Sequence, residues 1–170
     1  MNYYELFEIP ISFEVDQKQL TQRYYALSKE HHPDKFTLKS DELQKKALQT
    51  TTEINNGFKV LKNKQKRIKY LLEYLGVKFT EGQEKVSQNF LEEMMDINEE
   101  LMEYQFDPNP SLKEEILKNI SKIEIYLEDR ITPIMESIDF SNPSHDALAD
   151  IKDYYLKFQY IERFRVNLNH

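Results

Sequence analysis

The stretch SKEHHPDKFT, residues 28–37, sets two of the chain's four histidines, His31 and His32, directly against Pro33 and Asp34. Three kinds of chemistry suit those residue types at that spacing. A histidine with a nearby carboxylate could act as a proton-transferring dyad, but no nucleophile or Gly-rich phosphate loop accompanies it. Neighbouring histidines on a helix diverge by about 100°, and Asp34 lies past a helix stop, so a shared metal ion is poorly served. The third possibility is display. Proline holds the backbone, histidine offers a donor, and Asp34 presents a carboxylate to a cationic group on a partner. An ordinary helix end, with histidine at the negative pole of the dipole, is the purely structural alternative.

The flanking elements read as helices. A short one spans about Asn2 to Glu8 and ends before Pro10. A second starts near Asp16, an N-cap with Gln19 three residues on, and its apolar face is Leu20, Tyr24, Leu27 and His31. Pro33 ends it, because a residue before proline avoids helical geometry. Ser40 can cap a third helix running to about Lys62, with Leu43, Ala47, Thr50, Ile54, Phe58 and Leu61 as its buried stripe. The two long helices are expected to pack antiparallel and expose the loop between them. KQKRIKYLLEYLG makes a fourth helix that stops at Gly76.

GVKFTEGQEK, residues 76–85, holds two of the three glycines and reads as a connector. Beyond it three helices are expected, at roughly 87–106, 112–138 and 145–168, separated by DPNPS and FSNPS turns. Ser111 and Glu114 form a capping-box pair, and Pro133 should kink or shorten the middle helix. Short turns between three helices predict an antiparallel bundle. The fold class is therefore all-α, with 1–75 as one domain, 76–85 as linker and 86–170 as a second.

Composition agrees. Hydrophobic residues are 39% and aromatics 12%, and so few glycines argue against a sheet-rich fold. Without cysteine the chain has no disulfide, thiolate nucleophile or cysteine-held cluster. No cofactor and no metal are expected, and no catalysis by the chain itself. The N-terminus has no basic region followed by an apolar run, and nothing approaches about 18 continuous apolar residues, so no membrane segment is expected and the cytoplasm is the expected location. Residues 1–75 carry 13 Lys and Arg against 10 Asp and Glu, whereas 76–170 carry 10 against 20. Opposite signs suit different partners, and the acidic half disfavours nucleic acid.

That acidic half has more apolar surface than one seam needs. On a wheel of residues 90–104, Phe90, Met94, Ile97, Leu101 and Tyr104 share a face. Leu91, Met95 and Met102 form a second stripe about 110° away, bordered by Glu92 and Glu99 with Asp96 further round. In the last helix Leu148, Ile151, Tyr154, Tyr155, Phe158, Ile161 and Leu168 make a core arc, and Leu156, Tyr160 and Phe164 fall outside it. The surplus is either a wide core face or an exposed patch with an acidic rim.

A short helix with Tyr3, Leu6 and Phe7, then a helix, His-Pro-Asp in a loop and an antiparallel helix resembles the J-domain of DnaJ-type co-chaperones. MNYYELFEIP, HPDKF, TEINNGFKVL and RIKYLLEYLG extend the likeness to HscB-type J-proteins of iron–sulfur cluster assembly, as does the layout of J-domain, linker and acidic three-helix domain. The resemblance implies that His32, Pro33 and Asp34 trigger ATP hydrolysis by a DnaK/HscA-type chaperone, with Arg23, Lys29 and Lys35 steering the docking. It implies that the C-terminal domain binds an IscU-type scaffold through Leu91, Met95, Asp96, Glu99 and Tyr160. Met95 stands where the family commonly has leucine, and Asp96 where it has glutamate. A J-protein delivering a different client is the alternative.

Overall fold

In the computed structural model, which describes residues 2–169, all regular structure among the described residues is helical. The chain divides into two compact units, Met1–Leu71 and Leu72–His170. α1 is Tyr3–Phe7, α2 Gln17–Glu30, α3 Asp41–Lys62, α4 Lys64–Tyr74, α5 Gln88–Glu93, α6 Met95–Phe106, α7 Pro110–Ser137 and α8 His145–Leu168.

Local signals set most of the ends of the N-terminal unit. Asn2 and Glu5 form a reciprocal capping box on α1. Asp16 caps α2 by accepting from the amides of Lys18 and Gln19. Ser40 occupies the N-cap position of α3 but makes no side-chain cap bond. α2 and α3 form the antiparallel pair, stapled by a Tyr24–Phe58 stack at 4.1 Å and by the Tyr24 hydroxyl donating to Asn55 Oδ1 at 3.0 Å. α1 lies across α3 at Gly57, where an added Cβ would come within 2.9 Å of both the Tyr3 and Phe7 rings. Tyr4, Phe7, Phe13, Leu20, Ile54, Leu61, Ile68 and Leu71 fill the core.

One buried cation ties this core together. Arg67 of α4 donates to the carbonyl oxygens of Phe13 (2.8 Å) and Leu61 (2.6 Å) and lies 3.6 Å from Glu14. Burial lowers its pKa, and the neighbouring Glu14 and Tyr4 oppose that shift. Nearby, the Tyr4 hydroxyl donates to Ser12 O at 2.7 Å, and its phenol is driven above the usual range chiefly by burial.

In the second unit, Gly76 ends the stretch after α4 with φ +88, a value that suits glycine. The connector that follows is fastened to α8. Lys152 donates to the Lys78 carbonyl and to Glu84, and Phe79 sits edge-on to Tyr155 at 5.4 Å. α6, α7 and α8 form the bundle. Its seam is Phe90, Met94, Ile97, Leu101, Ile116, Ile120, Ile161, Phe164 and Leu168.

Four sequence expectations change, and one at Pro133 is narrowed. The helix at 87–106 breaks at Met94 (φ −88, ψ −3), although no glycine or proline is there; Met94 is fully buried, and packing sets the break. The next helix starts at Pro110 rather than 112. Asn109, not Ser111, is its cap, since its Oδ1 accepts the Ser111 amide at 2.8 Å and proline at the first position needs no donor. Pro133, where a kink or an early end is expected, does not end α7, which runs another turn to Ser137. Leu43 is 44% exposed, so the buried stripe of α3 begins only at Ala47. Phe164 is buried in the bundle seam, within the core arc rather than outside it.

Candidate docking sites

The His-Pro-Asp loop follows from how α2 stops. His31 is the C-cap, its amide donating to Leu27 O at 2.9 Å, and its carbonyl accepts from Thr51 Oγ1 of α3 at 3.0 Å. His32 turns extended (φ −59, ψ 128), as a residue before proline must. Pro33–Phe36 then make one turn of 3-10 helix with His32 as its N-cap. The imidazole Nδ1 accepts from the Asp34 amide at 3.3 Å. The same nitrogen lies 3.5 Å from Asp34 Oδ2, so the ring sits beside the carboxylate as well as its amide. The His32 side chain is 57% exposed and the Asp34 side chain 86%.

Several bonds hold this loop in shape. Lys35 N donates to His32 O, Thr37 Oγ1 to Asp34 O, and Lys39 N to Phe36 O. Gln44 Nε2 of α3 donates to the carbonyls of Thr37 (3.3 Å) and Lys39 (2.9 Å). Asp34 therefore stands on a pinned turn, beside a shallow concavity shared with Pro33, Gln44 and Leu48. Lys29 and Lys35 are exposed near it. Arg23 is engaged elsewhere. Its Nε donates to Phe7 O at 3.0 Å and its guanidinium pairs with Glu8, fastening α2 to the end of α1. Its charge is therefore partly neutralised before any partner arrives.

The second surface lies on α5 and α6. With Phe90, Met94, Ile97 and Leu101 turned into the seam, Leu91 is half-buried and Met95, Asp96 and Glu99 are exposed. Tyr160 of α8 joins them. Its ring meets Phe90 edge-on at 5.6 Å and Phe164 at 5.4 Å, and its hydroxyl is 3.5 Å from Asn98 Nδ2. Asn98 sits in the row between Met95 and Met102, so Tyr160 borders the middle of the stripe. Asn98 also donates to Met94 O at 3.0 Å, at the helix break. Sequence reasoning left Asn98 out, since a lone polar residue amid an apolar row carries no signal of its own. No group of three or more His, Cys, Asp or Glu side chains able to hold a metal occurs among the described residues, and no helix among them is long and apolar enough to cross a membrane.

A short helix, an antiparallel pair and an exposed His-Pro-Asp turn define the class of J-domain proteins, and the DnaJ domain family matches residues 2–70. The HSCB C-terminal oligomerisation domain family matches 86–169. The chain belongs to the HscB co-chaperone family. It is 32% identical over 147 residues to the co-chaperone protein HscB homolog of Psychromonas ingrahamii, covering 81% of this chain and 87% of that one. Its structure is similar to chaperone HscB from Vibrio cholerae, with TM-score 0.80 and 25% identity over 99% of this chain and 96% of that one. Human co-chaperone protein HscB gives TM-score 0.85 at 25% identity, covering 99% and 81%. Membership implies work with an Hsp70-type chaperone in iron–sulfur cluster biogenesis.

Proposed function

We propose that this co-chaperone delivers an IscU-type scaffold protein to a DnaK/HscA-type ATPase in the cytoplasm, through two separate surfaces. Residues 1–75 act as the J-domain, 76–85 as connector and 86–170 as the scaffold-binding domain. His32, Pro33 and Asp34 engage the ATPase, with Lys29 and Lys35 supplying attraction to an acidic face and Arg23 a weaker part of it. Leu91, Met95, Asp96, Glu99 and Tyr160 hold the scaffold. Holding both partners makes the second encounter effectively intramolecular and raises the local concentration of scaffold beside the ATPase. The chain itself contributes no bond-making step.

The observation that carries this reading is the exposed Asp34 carboxylate on a turn that α3 pins through Gln44 and Thr51. Fixing the turn in advance limits the ordering cost of docking. Single-turnover ATP hydrolysis by the chaperone, with and without scaffold, tests it. Asp34→Asn should lower the stimulation by about tenfold or more, as expected for a lost charge-assisted contact, while scaffold affinity stays the same. Equal stimulation by the variant overturns the assignment.

A further inference from the structure

The apolar row that starts at Leu91 continues past Glu99. Leu91, Met95, Asn98, Met102 and Phe106 succeed one another at spacings of four and three along α5 and α6. Met95 is 54% exposed, Met102 70% and Phe106 93%. Phe106 is the last residue of α6, so the part of the row on α6, from Met95 to Phe106, spans roughly 16 Å at 1.5 Å per residue. The seam is filled without it, by Phe90, Met94, Ile97 and Leu101. Large apolar side chains left in one exposed row beside a complete core mark a surface that a partner covers.

Charge says which kind of partner. Residues 86–112 include seven Asp and Glu and no Lys, Arg or His. Glu92, Asp96, Glu99 and Glu103 are all exposed and lie alongside the row. A second copy pairing along this face would set one acidic border against another, which costs free energy. A partner with basic flanks gains instead.

We propose that Met102 and Phe106 form a second anchor, so that the scaffold is gripped along the whole α5–α6 row by an elongated apolar segment flanked by Lys or Arg. This rests on the scaffold-binding reading and lengthens its footprint. The unbranched methionines adapt their shape to an apolar partner, and the Phe106 ring supplies the large buried area of an interface anchor. The acidic border steers the approach and rejects acidic surfaces.

Calorimetric titration of the cognate IscU-type scaffold into the full-length protein tests it, with Leu91→Ala/Met95→Ala and Met102→Ala/Phe106→Ala compared with the parent. The second pair should weaken binding about tenfold or more, with helicity and Tm held, because both side chains lie outside the core. Raising salt from about 0.05 to 0.5 M should weaken parent binding as the charges are screened. Full affinity of Met102→Ala/Phe106→Ala beside a loss in Leu91→Ala/Met95→Ala overturns the longer footprint and leaves scaffold binding standing. Full affinity in both pairs overturns both. A parent dimer in sedimentation that Phe106→Ala dissolves gives the row to a second copy and overturns the proposal as well.

Discussion

The two units solve the problem of display in different ways. In the N-terminal unit the core is laced with directional bonds: Arg67 to two carbonyls, Tyr4 to Ser12, Asn2 to Glu5, and the Tyr3 amide to the Tyr70 hydroxyl at 2.9 Å. The docking group is three consecutive residues on a turn tied to α3 by Gln44 and Thr51. The C-terminal bundle has an apolar seam, and its stronger polar links lie nearer the surface, as in Arg165 with Glu124 and Lys152 with Glu84. Its candidate site is a run of apolar area left over once the seam is full. A small site with exacting geometry goes with buried polar anchoring, whereas a broad greasy site needs only a filled seam and a spare face.

Paired arginine substitutions test that contrast most sharply. Arg67→Met should destabilise the N-terminal unit by about 3 kcal/mol or more, since it strands two buried carbonyls. Arg165→Met should cost about 1 kcal/mol, the loss of a partly exposed pair. Chemical denaturation followed by hydrogen exchange in each unit measures both, and equal losses would break the comparison. Next in size is Gly57→Ala. The added methyl must displace the Tyr3 and Phe7 rings, and after the gain in helix propensity a net loss of about 1–2 kcal/mol is expected in thermal melts.

The smallest effect belongs to the connector. The Thr80 amide, then Lys152, holds the Glu84 carboxyl below its ordinary value of 4.5. A carboxyl depressed in the folded state stabilises above its unfolded pKa, and the gain is lost as pH falls through the folded value. Glu84→Gln should therefore cost about 0.5–1 kcal/mol at neutral pH, and the deficit should shrink and disappear as the solution is acidified past the ordinary carboxyl value and through the depressed one. A deficit that persists at low pH would mean that packing, not charge, holds the connector.

Legibility in the sequence tracks the range of the interaction. Asp16 as a cap, Pro33 as a stop and Gly76 as a terminator act within a few residues, and each appears where the sequence places it. The His-Pro-Asp turn is legible for the same reason. Apart from the cap at Asn109, where one local signal displaced another, the differences fall where distant packing outweighs local preference. Met94 breaks a helix with no breaker in sight, and Phe164 lies off the predicted arc yet enters the seam. Arg23 looked like a free docking charge until the end of α1 supplied Phe7 O and Glu8.

By itself the sequence determined the helical class, the bend at Pro33 and the identity of the groups offered there, because backbone sterics and caps operate between neighbours. Only the tertiary structure decided which of two apolar stripes on α5 and α6 is consumed by the core, that Tyr160 borders the other, and that Arg23 is already paired. Periodicity counts faces, but a face becomes a site only when packing leaves it uncovered.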